Sequence, residues 1–129
     1  MGQELLPMPI EEVLKERAKA REEVIEEVRR YVESLRERWG RITAVLFGSY
    51  ARGDFNLWSD VDLIITSERF RGTNFVTRCV ALLDAPPRVE AICWTPEEAA
   101  KALGKPWWRE ALKHRIVITD DYGIFGVLS

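Results

Sequence analysis

The order of elements along the chain predicts an α+β fold, in which a small sheet is flanked by helices. A highly charged stretch, residues 10–39, has helical periodicity. Four short apolar runs, at residues 42–47, 61–65, 88–94 and 115–119, are typical of buried strands. Helix signals fall between these runs, so the predicted order is α-β-α-β-α-β-α-α-β. With 129 residues, the chain is expected to form a single domain, residues 1–129.

The first predicted element is a long amphipathic helix over residues 10–39. Its apolar residues repeat at spacings of three and four and form one stripe, which consists of Ile25, Val28, Val32, Leu35 and Trp39. Between them, acidic and basic residues nearly balance, which favours a solvated outer face over a surface for membranes or nucleic acid. Gly40 is expected to end the helix. Residues 1–9, which contain two prolines, are expected to form a loose lead-in.

Besides the turn into a helix at Gly48 and Ser49, three shorter helices are predicted between the strands. Residues 73–83 have a helical pattern that stops before Pro86. Thr95, followed by proline and with Glu98 three residues on, has the form of a capping box and predicts a helix start. A last helix is expected to follow Pro106 and to extend to about His114.

Composition excludes several classes of protein. The chain is 47% hydrophobic and 31% charged, as expected for a folded globular domain. A net charge of −2 gives no general attraction to nucleic acid or to membranes. No apolar run reaches 18 residues and no signal peptide is visible, so a cytoplasmic protein is expected. Cys79 and Cys93 match no redox or zinc spacing and are expected to be buried free thiols.

The stretch AVLFGSYARGDFNLWSDVDLII, residues 44–65, contains the first candidate site. Gly48 and Ser49 follow a predicted strand and precede residues compatible with a helix. Glycine permits close approach to the backbone, and N–H groups at a helix start suit a phosphate. Ser49 adds a hydroxyl group, and Arg52 adds a guanidinium group one turn later. By itself, this pattern is more typical of an ordinary turn with an N-cap serine.

Paired acids make the phosphate interpretation stronger. Asp60 and Asp62 are two residues apart at the start of a predicted strand, so their side chains are expected to point to the same side. Carboxylates are preferred ligands of Mg²⁺, and a cation between them would relieve their repulsion. Glu90 is a third acid, placed among apolar residues of the next strand. Each acid alone could be a solvated strand-end residue, but together they predict a metal and phosphate site.

The motif formed by GS, ten further residues and DVD resembles the signature of the DNA polymerase beta nucleotidyltransferase superfamily. Residues 48–65 are similar to its minimal nucleotidyltransferase (MNT) branch. The resemblance implies a polymerase-beta-like core with a mixed sheet, and metal-dependent transfer of a nucleoside monophosphate, AMP from ATP, to a hydroxyl group. It implies two Mg²⁺ ions. The implied catalytic and metal-binding residues are Asp60, Asp62 and Glu90, and the implied nucleotide-binding residues are Gly48, Ser49 and Arg52. Aspartate is commoner than glutamate at the third acidic position.

The acceptor is less well specified. Only about 30 residues follow the start of the helix after the third strand, too few for another domain of typical size. A bare catalytic core is expected to take its acceptor from a partner. MNT proteins of this size typically pair with helical HEPN proteins as antitoxins of toxin–antitoxin modules, so a HEPN-type partner is implied. Two alternatives remain open: a binding-only antitoxin, and a subunit of a small-molecule or tRNA nucleotidyltransferase.

Aromatic residues near the motif could serve the base or the partner. Phe55 and Trp58 lie between the two halves of the motif. They are expected to stack on adenine, to dock a protein or to pack into the core. Trp107 and Trp108 are adjacent at the start of the last helix, and adjacent helical residues do not face the same side. One ring of this pair is therefore predicted to be exposed.

Overall fold

The computed structural model describes residues 9–56 and 58–126. Its centre is a four-stranded sheet with the strand order β3-β2-β1-β4. The strands are β1 (Thr43–Phe47), β2 (Val61–Thr66), β3 (Val89–Trp94) and β4 (Ile116–Asp120), and the helices are α1 (Ile10–Trp39), α2 (Ser49–Arg52), α3 (Pro96–Leu103) and α4 (Pro106–Ala111). β1 is antiparallel to β2 and to β4, whereas β2 and β3 are parallel. The predicted α+β fold with a mixed sheet and a long N-terminal helix is confirmed.

Helix α1 covers one face of the sheet through the predicted stripe. Ile25, Val28, Val32 and Leu35 are all buried, and they belong to the same apolar cluster as Ala44 of β1. Trp39 is half-buried and packs edge-on against the ring of Phe70. Gly40 ends the helix at a φ of 82°, in a backbone conformation that residues with a side chain rarely adopt. The boundaries of α1 are those that the sequence predicted.

Side-chain alternation sends neighbouring strand residues into two different clusters. Leu46 and Leu63 pack with α1, whereas Val45 and Ile64 pack on the opposite face with α3 and α4. Both faces of β1 and β2 are therefore buried, which explains their nearly continuous apolar sequence. Asp62 has the same parity as Ile64, so its side chain belongs to the face that α3 and α4 cover.

Helix α3 begins as the sequence predicted. The Thr95 hydroxyl accepts a hydrogen bond from the Glu98 amide, and the Glu98 carboxylate accepts one from the Thr95 amide. This completes the capping box. The last helix, α4, is shorter than predicted and ends at Ala111. No helix among residues 9–56 and 58–126 combines the length and apolar character needed to cross a membrane.

The connection between β2 and β3 differs from the prediction. Residues 73–83 do not form the expected α-helix; they form turns followed by a short 3₁₀ helix, Arg78–Leu82. This segment lies against β3 and brings Cys79 next to Cys93, with their Cα atoms 5.9 Å apart, and the two form a disulfide. The expectation of free thiols was therefore wrong. A disulfide depends on three-dimensional proximity, and a separation of 14 residues does not reveal it.

Candidate active site

The candidate site lies where β1 ends beside the start of β2. Phe47 and Asp62 are partners in the antiparallel register, so the turn that follows β1 runs past the Asp62 side chain. Gly48 occupies that turn at a φ of 75°. A Cβ atom at Gly48 would lie 2.2 Å from Oδ2 of Asp62. The Asp62 carboxylate therefore packs directly on the glycine backbone, and a side chain at position 48 would displace it.

The parallel register of β2 and β3 places a second acid beside Asp62. Asp62 and Glu90 are partners across the two strands. Burial raises the pKa of Asp62 above its ordinary value, and the negative charges of Glu90 and Asp60 raise it further, while Arg52 opposes them. Asp60 and Glu90 are exposed, whereas Asp62 is half-buried. The three acids named from the sequence thus act on one another at one end of the sheet.

These carboxylates fit a divalent cation by charge and chemistry. Burial and then the charges of Glu90 and Asp60 raise the pKa of Asp62, and a hard cation with oxygen ligands would offset that negative charge. In the part of the chain that the structure describes, no three Asp, Glu, His or Cys side chains form a ready-made metal site. Asp62 is held against Gly48, while Asp60 and Glu90 lie on the exposed side of it.

An open cleft of about 490 Å³ adjoins the Asp62 carboxylate. It brings together five of the six site residues predicted from the sequence; Glu90 is not among the residues that line it. The lining residues are Phe47, Gly48, Ser49, Arg52, Trp58, Ser59, Asp60, Asp62, Trp107 and Ala111. A volume of this size is typical of small-molecule sites.

The predicted phosphate ligands lie on the short helix α2. Ser49 begins this helix and lines the cleft. Arg52 also lines the cleft, but its Nε donates to Oδ2 of Asp54 over 3.1 Å. The Arg52 side chain is about half exposed, so this ion pair is a weak restraint. Arg52 can therefore exchange Asp54 for a stronger anion such as a phosphate.

Hydrogen bonds link Asn56, Trp58 and Ser59 before β2. The Ser59 hydroxyl accepts from the Asn56 amide over 2.9 Å, and the Asn56 side chain accepts from the Trp58 amide over 2.8 Å. The Ser59 amide closes the turn on the Asn56 carbonyl. Trp58 is held at the tip of this turn with 88% of its surface exposed. Ser59, which precedes the first aspartate of the motif, thus shapes the loop that carries Trp58.

The sequence left open whether the other aromatic residues face a ligand or pack into the core, and the structure shows which of them do so. Phe55 is buried and stacks on Tyr50, with ring centroids 4.4 Å apart, so it packs into the core and does not face a ligand. Trp108 is half-buried and packs edge-on against Trp94. Trp107 is 67% exposed and lies in the cleft. The prediction that one of the two adjacent tryptophans is exposed is confirmed.

Two arginines of α1 donate hydrogen bonds to backbone carbonyls of the motif, and sequence analysis did not identify them. Arg17 donates to the carbonyls of Gly53 and Phe55, and its guanidinium lies 4.6 Å from the centre of the Phe55 ring. Arg21 donates to the carbonyls of Tyr50 and Ala51 over 2.7 and 3.0 Å. These bonds fix the end of α2 against α1. In the sequence, both arginines belong to a dense run of charged residues, and no local signal distinguishes them.

A strained residue lies just before Glu90. Arg88 has a φ of 70°, a left-handed value that costs a residue with a side chain about 1–2 kcal/mol. Its carbonyl accepts a hydrogen bond from the Val61 amide over 2.8 Å, which joins the starts of β2 and β3. This link helps to align Glu90 with Asp62.

Comparison with known proteins agrees with this geometry. Residues 28–119 match the model of the nucleotidyltransferase domain family. A protein of Sulfolobus solfataricus, assigned as a nucleotidyltransferase and solved at 1.40 Å, has the same fold. The two share a TM-score of 0.59 and 17% sequence identity over 78% of this chain and 84% of the other. No curated protein matches the sequence significantly. Since the family model covers more than half of the chain, this protein belongs to the nucleotidyltransferase domain family.

Proposed function

We propose that this protein transfers AMP from ATP to a hydroxyl group of a partner protein, with two Mg²⁺ ions as cofactors. The observation that carries the proposal is the Asp62 carboxylate, which is packed on Gly48 with its pKa raised by burial and by two neighbouring acids. This is an excess of negative charge beside a cleft of nucleotide size. The lowering effect of Arg52 on that pKa does not offset burial and the two acids, so the charge of Asp62 lacks a sufficient cationic partner within the described residues.

Each side chain has a separate role in this proposal. Asp60 and Asp62 would hold the cations, and Glu90 would complete the second metal site and would take the proton of the acceptor hydroxyl. Gly48 and Ser49 contact the β- and γ-phosphates, and Arg52 adds a guanidinium contact. When bound, the metal ions offset the charge of the triphosphate and of the departing pyrophosphate.

The proposed acceptor is a protein because residues 48–65 resemble the motif of MNT proteins. The resemblance to MNT proteins implies a helical HEPN-type partner and an antitoxin role for this chain. The hydroxyl would then belong to a residue of that partner, and adenylylation would switch the partner off.

The test is incubation of the protein with α-labelled ATP, Mg²⁺ and the product of its neighbouring gene. We expect label on the neighbour's product, and none when EDTA replaces Mg²⁺. The matched control is the double variant Asp60→Asn, Asp62→Asn, which keeps the side-chain volumes and removes both charges. We expect it to fold and to transfer no label, because it cannot hold the cations.

Three results would contradict parts of the proposal. Undiminished transfer by the double variant would refute the assignment of the two aspartates. A tight, unlabelled complex with the partner would indicate an antitoxin that acts by binding alone. Label on RNA or on a small molecule would indicate a different acceptor.

A further inference from the structure

We infer that Trp58 and Trp107 form the binding site for the base of the nucleoside triphosphate, with stacking on their exposed faces. The inference rests on the proposed function, since it assigns a base site in the same cleft. It goes further in naming two positions outside the catalytic motif that determine affinity for the nucleoside half of the donor.

The first observation is that the two rings share one cleft with the catalytic residues. Trp58 lies in the loop before β2, and Trp107 lies in the first turn of α4, some 50 residues later in the chain. Both line the cleft that contains Asp60 and Asp62. A nucleotide has an anionic tail and a flat apolar base, and this cleft offers surfaces of both kinds.

The second observation is that both rings are exposed, and that the Trp107 ring is held by its neighbours. The Trp58 backbone amide donates to the Asn56 side chain, and its ring is 88% exposed. Trp107 packs edge-on against Trp108, with ring centroids 4.7 Å apart, and Trp108 packs in turn against Phe47. An exposed ring that is already held in place, as that of Trp107 is, loses little freedom when a base stacks on it.

A docked protein is the competing explanation for two exposed tryptophans. A specific protein interface buries about 800 Å² on each partner, whereas a concave cleft of about 490 Å³ suits a small molecule. The rings also lie beside the acids, where an occupant must bring cations or positive charge. A nucleotide with bound metal ions meets both conditions.

Stacking leads to a particular pattern of specificity. Every base has an aromatic face, so these rings increase affinity for any nucleoside triphosphate and do not select among bases. Loss of either ring should therefore weaken the binding of ATP and the binding of GTP by similar factors. It should leave binding of inorganic tripolyphosphate unchanged, because that ligand has the phosphates without a base.

The test is calorimetric titration of ATP, GTP and tripolyphosphate, each with Mg²⁺, into the wild-type protein and into Trp58→Leu and Trp107→Leu. Leucine keeps apolar bulk and removes the aromatic face. We expect each variant to bind ATP and GTP about tenfold more weakly, and tripolyphosphate with unchanged affinity. Trp107→Phe should recover most of the loss.

Phe75→Leu is the control for loss of an exposed ring elsewhere. Phe75 is 60% exposed and lines a different groove, next to the Cys79–Cys93 disulfide. This variant should bind all three ligands as the wild type does. Thermal melts of each variant show whether the fold is retained, and Trp58, which is the more exposed of the two tryptophans, is the safer position.

The outcomes separate the base site from the proposed function. If the wild-type protein binds nucleotides and the tryptophan variants bind them equally well, the base site is wrong and the rings serve another partner. Equal weakening of tripolyphosphate would also overturn it, because the variants would then have distorted the phosphate site. If the wild-type protein binds neither nucleotide, the proposed function fails, and the base site fails with it.

Discussion

Two acids that lie beside the opposite ends of β1 have pKa values shifted in opposite directions. At its start, Asp121 accepts hydrogen bonds from Arg36 and from the Ile42 amide, and the Arg36 bond holds the pKa of that carboxyl below its usual range. At its end, burial and the charges of Glu90 and Asp60 raise the pKa of Asp62. At the start of β1 the acidic charge is therefore paired with a basic group, whereas at its end like charges lie close together.

The difference shows where stability and function reside in this protein. Asp120, also at the first end, accepts from the Thr43 hydroxyl and from the amides of Ile124 and Phe125. That end is a closed network that stabilises the fold. The other end retains like charges and the strained Arg88. Such features are destabilising in themselves and are typical of functional sites.

Gly48→Ala should have the largest effect at the charged end. Gly48 has φ 75° and ψ −151°, a conformation that costs other residues about 1–3 kcal/mol. The new methyl group would in addition meet Oδ2 of Asp62 at 2.2 Å. We expect a loss of unfolding free energy above that range together with loss of nucleotide transfer, measured by denaturant titration and by the labelling assay.

Gly40→Ala is the matched control at the other end of β1. Gly40 has nearly the same backbone conformation, φ 82° and ψ −137°, but no atom lies within 4 Å of the position that a Cβ atom would occupy there. It should cost about 1–3 kcal/mol and leave transfer intact. In an Asp62→Ala background, the loss of unfolding free energy caused by Gly48→Ala should fall to the loss caused by Gly40→Ala. Equal costs in the wild-type background would contradict the contact between Gly48 and Asp62.

Asp121→Asn and Asp62→Asn should change stability in opposite directions at pH 7. Asp121→Asn removes the charge of the carboxylate that accepts from Arg36 and from the Ile42 amide, and should lower the melting temperature. Asp62→Asn removes a half-buried charge among like charges and should leave stability unchanged or raise it.

The pH dependence of these two variants follows from the direction of each pKa shift. The stabilisation from Asp121 is present above its unfolded pKa of about 4 and is lost as the pH falls through its lowered folded pKa. The raised pKa of Asp62 has the opposite effect, since stability is lost as the pH rises through it. Melting temperatures of the wild-type protein and of both variants at pH 3 and pH 7 test these two directions. A destabilised Asp62→Asn at pH 7 would contradict it.

The smallest effect is expected at Arg88, where strain can be separated from side-chain contacts. Arg88→Ala and Arg88→Gly both remove the side chain, but only glycine accepts a φ of 70° without strain. We expect the glycine variant to be more stable than the alanine variant by about 1 kcal/mol, measured by denaturant unfolding. Equal stability of the two would mean that no strain is stored at this position.

Much of the fold could be predicted because its signals are local. The stripe of α1 repeats at helical spacing, the capping box of α3 lies within four residues, and buried strands are short apolar runs. The segment at residues 73–83 was predicted wrongly since its helical pattern is weak and its conformation depends on packing against β3. The disulfide of Cys79 and Cys93 was missed for the same reason.

The two aspartates, Glu90 and the glycine turn of the candidate site could be predicted from the sequence. Two acids that are two residues apart on a strand, and a glycine after an apolar run, are features of the chain itself. The pairing of Asp62 with Glu90 depends on which strands align in parallel. The entry of Trp107 into the cleft depends on where α4 packs, and the hold of Arg17 and Arg21 on α2 depends on the path of α1. Periodicity specifies which face of an element is buried, whereas contacts between distant elements arise only when those faces pack together.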